Sequence, residues 1–186
     1  MKNVLIISGH PDLKNSVANK KILDELKKNC PQAEIRKLDE LYPTYNFDVE
    51  TEKKFWEKAD VIIFQYPMHW YGLPGILKLY IDKVMEHGWA YGSKGTALKN
   101  KVLIASVTTG APEVAYSNDG EMQHKVEDFY FDLEQYAKLC NMTFKKLFYS
   151  CGMMCVPGIT TDEQKKIVLE KAEKQAADIL DCVKSL

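Results

Sequence analysis

Three stretches of the chain gather side chains that can bind an anion, stack on a planar ring or exchange a proton. The first, "GHPDLKNSVANK", follows a short apolar run and turns polar where a helix is expected to begin. Ser16 stands at the cap position, and the opening N–H groups of a helix have no intrahelical partner and favour an anion. His10 and Asn19 add further donors. The stretch lacks G-x-G-x-x-G and G-x-x-x-x-G-K-[ST], so neither a dinucleotide pyrophosphate nor a nucleoside triphosphate is favoured. A lone phosphate monoester suits it better. Taken by itself, the loop reads as a capped helix start.

The second stretch, "QYPMHWYGLPG", sets Tyr66, Met68, His69, Trp70 and Tyr71 directly after the most apolar run. Large flat side chains at the end of a strand suit a planar ligand with apolar faces and polar edges, and Pro67 and Pro74 are expected to stiffen the loop. A partner surface is the rival reading, since exposed aromatics and Met also mark interfaces. The third stretch, "TTGAPEVAYSNDG", begins with Thr108, Thr109 and Gly110, where glycine permits close backbone approach to a ligand. Tyr116 and His124 follow as candidate proton donors, Tyr116 in a loop composition and His124 in a helical pattern. A phosphate site, an aromatic platform and a glycine-approached ring edge fit one molecule, flavin mononucleotide (FMN). The chemistry would then be the cofactor's, with the chain setting orientation and electrostatics.

These loops need elements to hold them. Apolar runs at Lys2–Ser8, Ala33–Leu38, Val61–Tyr66, Lys101–Thr109 and Thr143–Ser150 read as strands. Amphipathic segments at Ser16–Asn29, Val49–Lys58, Gly75–Glu86, Gly120–Leu139 and Thr161–Val183 read as helices. The long one carries Phe129, Leu133 and Tyr136 inward, and Thr161 with Gln164 forms a capping box in the last. Strict strand–helix alternation predicts one α/β domain over residues 1–186: a doubly wound parallel sheet of five strands, order 2-1-3-4-5, with helices on both faces. Ligands of such sheets sit beyond the carboxyl ends of the strands, where strand order reverses. All three stretches fall there.

The charge balance removes other function classes. With 25 basic and 26 acidic residues and a formal net charge of −1, no concentrated basic face is expected and no nucleic-acid partner. No secretory pattern opens the chain and no apolar run approaches the roughly 20 residues that span a bilayer, so a cytoplasmic protein is expected. Five cysteines at irregular spacing predict no disulfide framework, and Cys151 and Cys155 lack the partners of a metal site.

At "SGHPDLKNSVANK", "QYPMHWYGLPGILKLYIDKV", "HGWAYG" with "GTALKNK", and "VTTG", the chain resembles the flavodoxin-like NAD(P)H:quinone oxidoreductases. It looks closest to their short bacterial members, among them the ancillary flavoproteins of potassium-efflux systems and general stress oxidoreductases. The resemblance implies a flavin-binding homodimer with its site at the interface. It also implies ping-pong hydride transfer from NADH or NADPH, through the flavin, to a quinone. Carried over by position, His10, Ser16, Val17, Ala18 and Asn19 match the phosphate and ribityl loop. Pro67, Met68, His69, Trp70 and Tyr71 match the segment along the flavin ring, and Thr108, Thr109, Gly110 and Ala111 its other edge. Backbone N–H groups near Thr109 and Gly110 would stabilise charge on the reduced ring, and Tyr116 and His124 match the family's acid–base pair. "TTGA" departs from the family's more usual TTGG. The short chain favours FMN over FAD, and "HGWAYG" would shape the site near the dimer partner. The resemblance leaves two alternatives: a regulatory subunit docked on a potassium-efflux transporter, peripheral to the membrane's inner face, and a reductase of azo or nitro compounds.

Overall fold

A computed structural model describes residues 2–186. Its centre is a parallel sheet of β1 (Val4–Ser8), β2 (Glu34–Lys37), β3 (Val61–Pro67), β4 (Val102–Thr108) and β5 (Thr143–Ser150) in the order β2-β1-β3-β4-β5. The expected topology is therefore present. β1 and β3 are buried along almost their whole length, because helices cover both faces of a parallel sheet and leave no polar side to alternate with.

Six helices surround the sheet: α1 (Val17–Asn29), α2 (Leu38–Leu41), α3 (Val49–Lys58), α4 (Gly75–Val84), α5 (Phe131–Leu139) and α6 (Asp162–Lys184). One apolar core lies between the sheet and α1 with α6, built on Ile6, Ile22, Ile63, Ile104 and Ile179. The other faces α3, α4 and α5 around Trp56, Phe64, Tyr80 and Leu133. Side chains place the helix starts: Asp48 accepts from the Thr51 N–H at 3.1 Å to open α3. Thr161 and Gln164 form the expected capping box of α6, at 3.2 and 2.9 Å.

Two expectations are corrected. The strand expected over Ala33–Leu38 ends at Lys37, and Leu38 instead opens the one-turn α2, for which no helix is expected. The single helix expected over Gly120–Leu139 is instead a bend, a 3-10 turn at Val126–Phe129 and the shorter α5. Gln123 adopts a left-handed conformation (φ 55°), which no α-helix continues through, so His124 lies in a loop rather than on a helix.

Candidate functional site

β1, β3 and β4 end side by side, and the loops leaving them enclose a cleft of about 340 Å³. Its walls include His10, Ser16, Val17 and Asn19 from the first loop, Pro67, Met68 and His69 from the second, and Thr108, Thr109 and Gly110 from the third. A larger cavity of about 610 Å³ lies at the opposite end of the strands, between the carboxyl ends of α1 and α6, and holds none of the expected residues.

The first loop is tied down at several points. Asp39 on α2 accepts from the Leu13 N–H at 2.7 Å, a role sequence reasoning missed together with α2 itself. Ser16 caps α1, accepting from the backbone N–H of Asn19 at 3.2 Å. The N–H groups of Val17 and Ala18 precede any intrahelical acceptor and find none among the described residues. Ala18 turns its side chain into the core and does not line the cleft. The Asp12 N–H donates to His10 Nδ1 at 2.9 Å, which fixes that nitrogen as the acceptor and leaves Nε2–H as a donor.

Burial, and then the neighbouring His69, push the His10 imidazole below its usual 6.5 against the pull of Asp39 and Asp12; burial lowers His69 as well. The unfolded chain therefore binds more protons than the fold once pH falls below about 6.5, and stability drops through that window. The urea midpoint of the ligand-free protein is expected to decline from pH 7 to pH 5, and His10→Gln to flatten the decline. Identical slopes in the two proteins would contradict this assignment.

The second loop closes in a tight turn. His69 and Gly72 exchange two backbone hydrogen bonds at 3.1 Å, with Trp70 (φ 48°) and Tyr71 (φ 63°) between them in left-handed conformations. Glycine or asparagine usually fills such positions, and two aromatics there store about 1–3 kcal/mol each. The turn swings Trp70 out to 95 % exposure and lays Tyr71 on Phe129, ring centroids 5.2 Å apart, so neither lines the cleft.

Phe129, expected to face inward from a long helix, ends the 3-10 turn instead and forms the hub of an aromatic cluster. Tyr71, Tyr116 and His124 all pack on its ring, with centroids 5.2, 6.4 and 5.6 Å away. Tyr116 reaches back to the cleft wall, its hydroxyl 3.7 Å from Met68 Sδ. Burial raises the Tyr116 pKa, which keeps its O–H as a proton donor at neutral pH. His124 is largely exposed and stands 3.8 Å from Asp128.

The third loop is stapled to the segment after β5. Thr109 N–H donates to the Ser150 carbonyl at 2.9 Å, and Met153 N–H to the Thr109 carbonyl at 2.8 Å. The Thr109 N–H expected to face a ligand is thus already committed, whereas those of Gly110 and Ala111 have no acceptor among the described residues. The staple also brings Met153, Met154 and Cys155 into the cleft wall, which sequence reasoning missed. Their one legible signal was position, immediately after a strand's carboxyl end. The cysteines are all free, and no group of three metal-ligating side chains occurs among the described residues.

Comparison with known proteins matches residues 2–178 to a family described by its flavodoxin-like fold. The glutathione-regulated potassium-efflux system ancillary protein KefF of Enterobacter sp. (strain 638) is 49% identical over 113 residues, 61% of this chain. That match spans 64% of the relative's own length. General stress protein 14 of Treponema denticola, solved in complex with FMN, superimposes with a TM-score of 0.85 at 31% identity, covering 98% of both chains. The NADPH-quinone reductase of P. pentosaceus superimposes with a TM-score of 0.75 over 95% of this chain and 98% of its own, and at 22% identity that likeness shows the fold alone.

Proposed function

Because the chain belongs to the flavodoxin-like fold family over residues 2–178, we propose that it is an FMN-dependent oxidoreductase taking hydride from NADH or NADPH and delivering two electrons to a quinone. One observation carries the reading: anion donors, a Met–His wall and a threonine–glycine edge converge on a single cleft at the point where strand order reverses. The donor set suits FMN. Ser16, His10 and the free N–H groups of Val17 and Ala18 would hold the phosphate, and Met68 and His69 would flank the ring. General stress protein 14, with FMN bound, shares 31% of its sequence with this chain. The cleft volume sits near the lower end of the roughly 300–1,000 Å³ of small-molecule pockets.

Bound FMN supplies a centre that accepts hydride and releases electrons in pairs. The chain's part is orientation and charge. The N–H groups of Gly110 and Ala111 are available to meet negative charge at the ring edge, a preorganised donor pair. Tyr116 holds its proton beside Met68 and can donate it to an oxygen above the wall. His124, on the same aromatic hub, is the second proton donor in this reading.

A homodimer completes the proposal. Trp70, Val114 and Met154 stand 95%, 80% and 65% exposed, apolar surface that a second copy would cover. The segment His87–Gly92 follows α4 and precedes β4, so within one chain it lies at the end of the sheet away from the cleft. It reaches a site only if that site belongs to a partner. Sedimentation is expected to give twice the chain mass. The identity with a potassium-efflux ancillary protein favours a second reading, a regulatory flavoprotein docked on such a transporter. No helix of the described residues is long and apolar enough to cross a membrane.

The decisive test is titration of the purified protein with FMN, followed by anaerobic reduction with each nicotinamide and turnover with a quinone panel. Tight FMN binding with quinone turnover supports the enzyme; protein that takes up no flavin ends both readings. Flavin binding without turnover, joined to capture of a potassium-efflux transporter, moves the conclusion to the regulatory reading.

A further inference from the structure

Beneath the cleft runs a buried chain of hydrogen bonds with a direction. Gln65, 0% exposed on β3, donates from Nε2 to Asn19 Oδ1 at 2.7 Å. Thr108, 3% exposed on β4, donates from Oγ1 to the same oxygen at 3.2 Å. Asn19 in turn donates from Nδ2 to Ser16 Oγ at 3.1 Å, beside the backbone bond at 3.2 Å. Ser16 Oγ thus has both lone pairs engaged, and its own hydrogen has no acceptor among the described residues. It is left for the cleft.

We propose that Gln65 is a positioning residue which, through Asn19, obliges Ser16 to act as a hydrogen-bond donor and so makes the cleft select a phosphate monoester over its dephosphorylated form. The proposal rests on the FMN reading and extends it to the residue that sets the preference. The opposite polarity is sterically possible: turn both amides over, and Ser16 donates to Asn19 instead of outward. A detail of burial decides between them. Gln65 Oε1 is buried and has no partner. With the amides reversed, the orphan would be an N–H₂ group with two unmet hydrogens, a rarer and costlier arrangement than an unpaired carbonyl. The same polarity leaves the Thr108 lone pairs free to accept, so donors at the α1 end lie near an acceptor on β4. A polyol phosphate, with an anionic head and adjoining hydroxyls, matches that order.

The test compares affinities for FMN and riboflavin, read by quenching of flavin fluorescence, in wild type, Gln65→Glu and Thr108→Val. A carboxylate at 65 only accepts, so Asn19 must reverse and Ser16 must donate inward. The preference for FMN is expected to fall about tenfold or more at pH 8, the scale of one charge-assisted hydrogen bond. It should return towards wild type as the pH is lowered and the buried acid takes up a proton, regaining a donor, a recovery that simple packing damage would not show. Thr108→Val, nearly isosteric, should lower the preference in the same direction and decides the matter if Gln65→Glu does not fold. Wild-type preference at pH 8 in a folded Gln65→Glu protein, or in Thr108→Val when it is the deciding variant, overturns the proposal. Inorganic phosphate is a second probe: it should raise the melting temperature of ligand-free wild type more than that of either variant. If wild type binds no FMN, the functional reading fails, and the phosphate arm still decides this one.

Discussion

Glu52→Ala is expected to lower the free energy of unfolding by about 3–5 kcal/mol, a large share of the ~5–15 kcal/mol that holds a domain of this kind together. Glu52 is 0% exposed, on α3 against the sheet. Its Oε1 takes the Arg36 guanidinium through Nη2 at 2.6 Å and Nε at 3.1 Å, and the Tyr42 hydroxyl at 2.6 Å. Its Oε2 takes the Tyr80 hydroxyl at 2.8 Å, and the Tyr80 oxygen in turn accepts from Trp56 Nε1 at 2.8 Å. One carboxylate therefore satisfies a half-buried cation and two phenols while tying α3 to β2 and α4. Burial, and then the Glu52 charge, push the Tyr42 hydroxyl up to about 12, so it remains a donor throughout the working range. Alanine strands all three donors, and the cost is that of leaving them unpaired rather than the worth of the pair itself. Two comparisons check this account by urea unfolding. Glu52→Gln keeps an acceptor for one of the two phenols and should lose less than alanine. Glu52→Leu combined with Arg36→Met removes the charges together and should recover part of the loss. A loss below about 1 kcal/mol in Glu52→Ala would mean that water relieves the network. Flavin affinity of the folded variant should be unchanged, because the cluster belongs to the core on the face away from α1.

The contrast between the two faces explains which features the sequence disclosed. β3 was legible nearly to the residue, since an apolar run bounded by charged or loop residues has few other uses in an alternating chain. α3 has the expected bounds, Val49–Lys58, and the structure adds the Asp48 cap that opens it. The misread region 120–139 has real helical spacing at Leu133 and Tyr136. The chain breaks earlier, at Gln123, where a left-handed residue has no signature beyond the neighbouring Asn118, Asp119 and Gly120. The site follows the same division. Loops at the carboxyl ends could be named from topology alone, and ten of the sixteen candidate residues on them line one cleft. Trp70 and Tyr71 do not, because a turn with no glycine at its two left-handed positions concealed the reversal that turns them outward. Gln65 is a polar residue within an apolar strand, and its partner lies 46 residues away on another element. Phe129 joins the two candidate proton donors only in three dimensions.

Ser16→Ala is the second large effect expected, and it separates the two things that residue does. As a helix cap, Ser16 holds the Asn19 N–H at 3.2 Å, and losing such a cap costs about 0.5–2 kcal/mol of stability. As the last donor of the buried relay, it would also give its hydroxyl hydrogen to a phosphate oxygen. A hydrogen bond to a charged group contributes about 1.5–3 kcal/mol, which converts to roughly 10–100-fold in affinity. Removing Oγ also frees Asn19 Nδ2, so the other end of the relay loses its fixed orientation. FMN affinity should therefore fall by roughly 10–100-fold. Riboflavin affinity should change by no more than about twofold, since riboflavin offers the serine no anion. Ser16→Thr retains a hydroxyl at a position where threonine also caps, and should keep most of the preference. Fluorescence titration with both flavins, set beside urea unfolding of the ligand-free protein, measures the two roles independently. If Ser16→Ala lowers the unfolding midpoint while leaving the ratio of FMN to riboflavin affinity intact, Ser16 is a cap and the phosphate is held by the N–H groups of Val17 and Ala18 and by His10 instead. If the ratio collapses with little loss of stability, the serine that opens α1 is there for its ligand first and for its helix second.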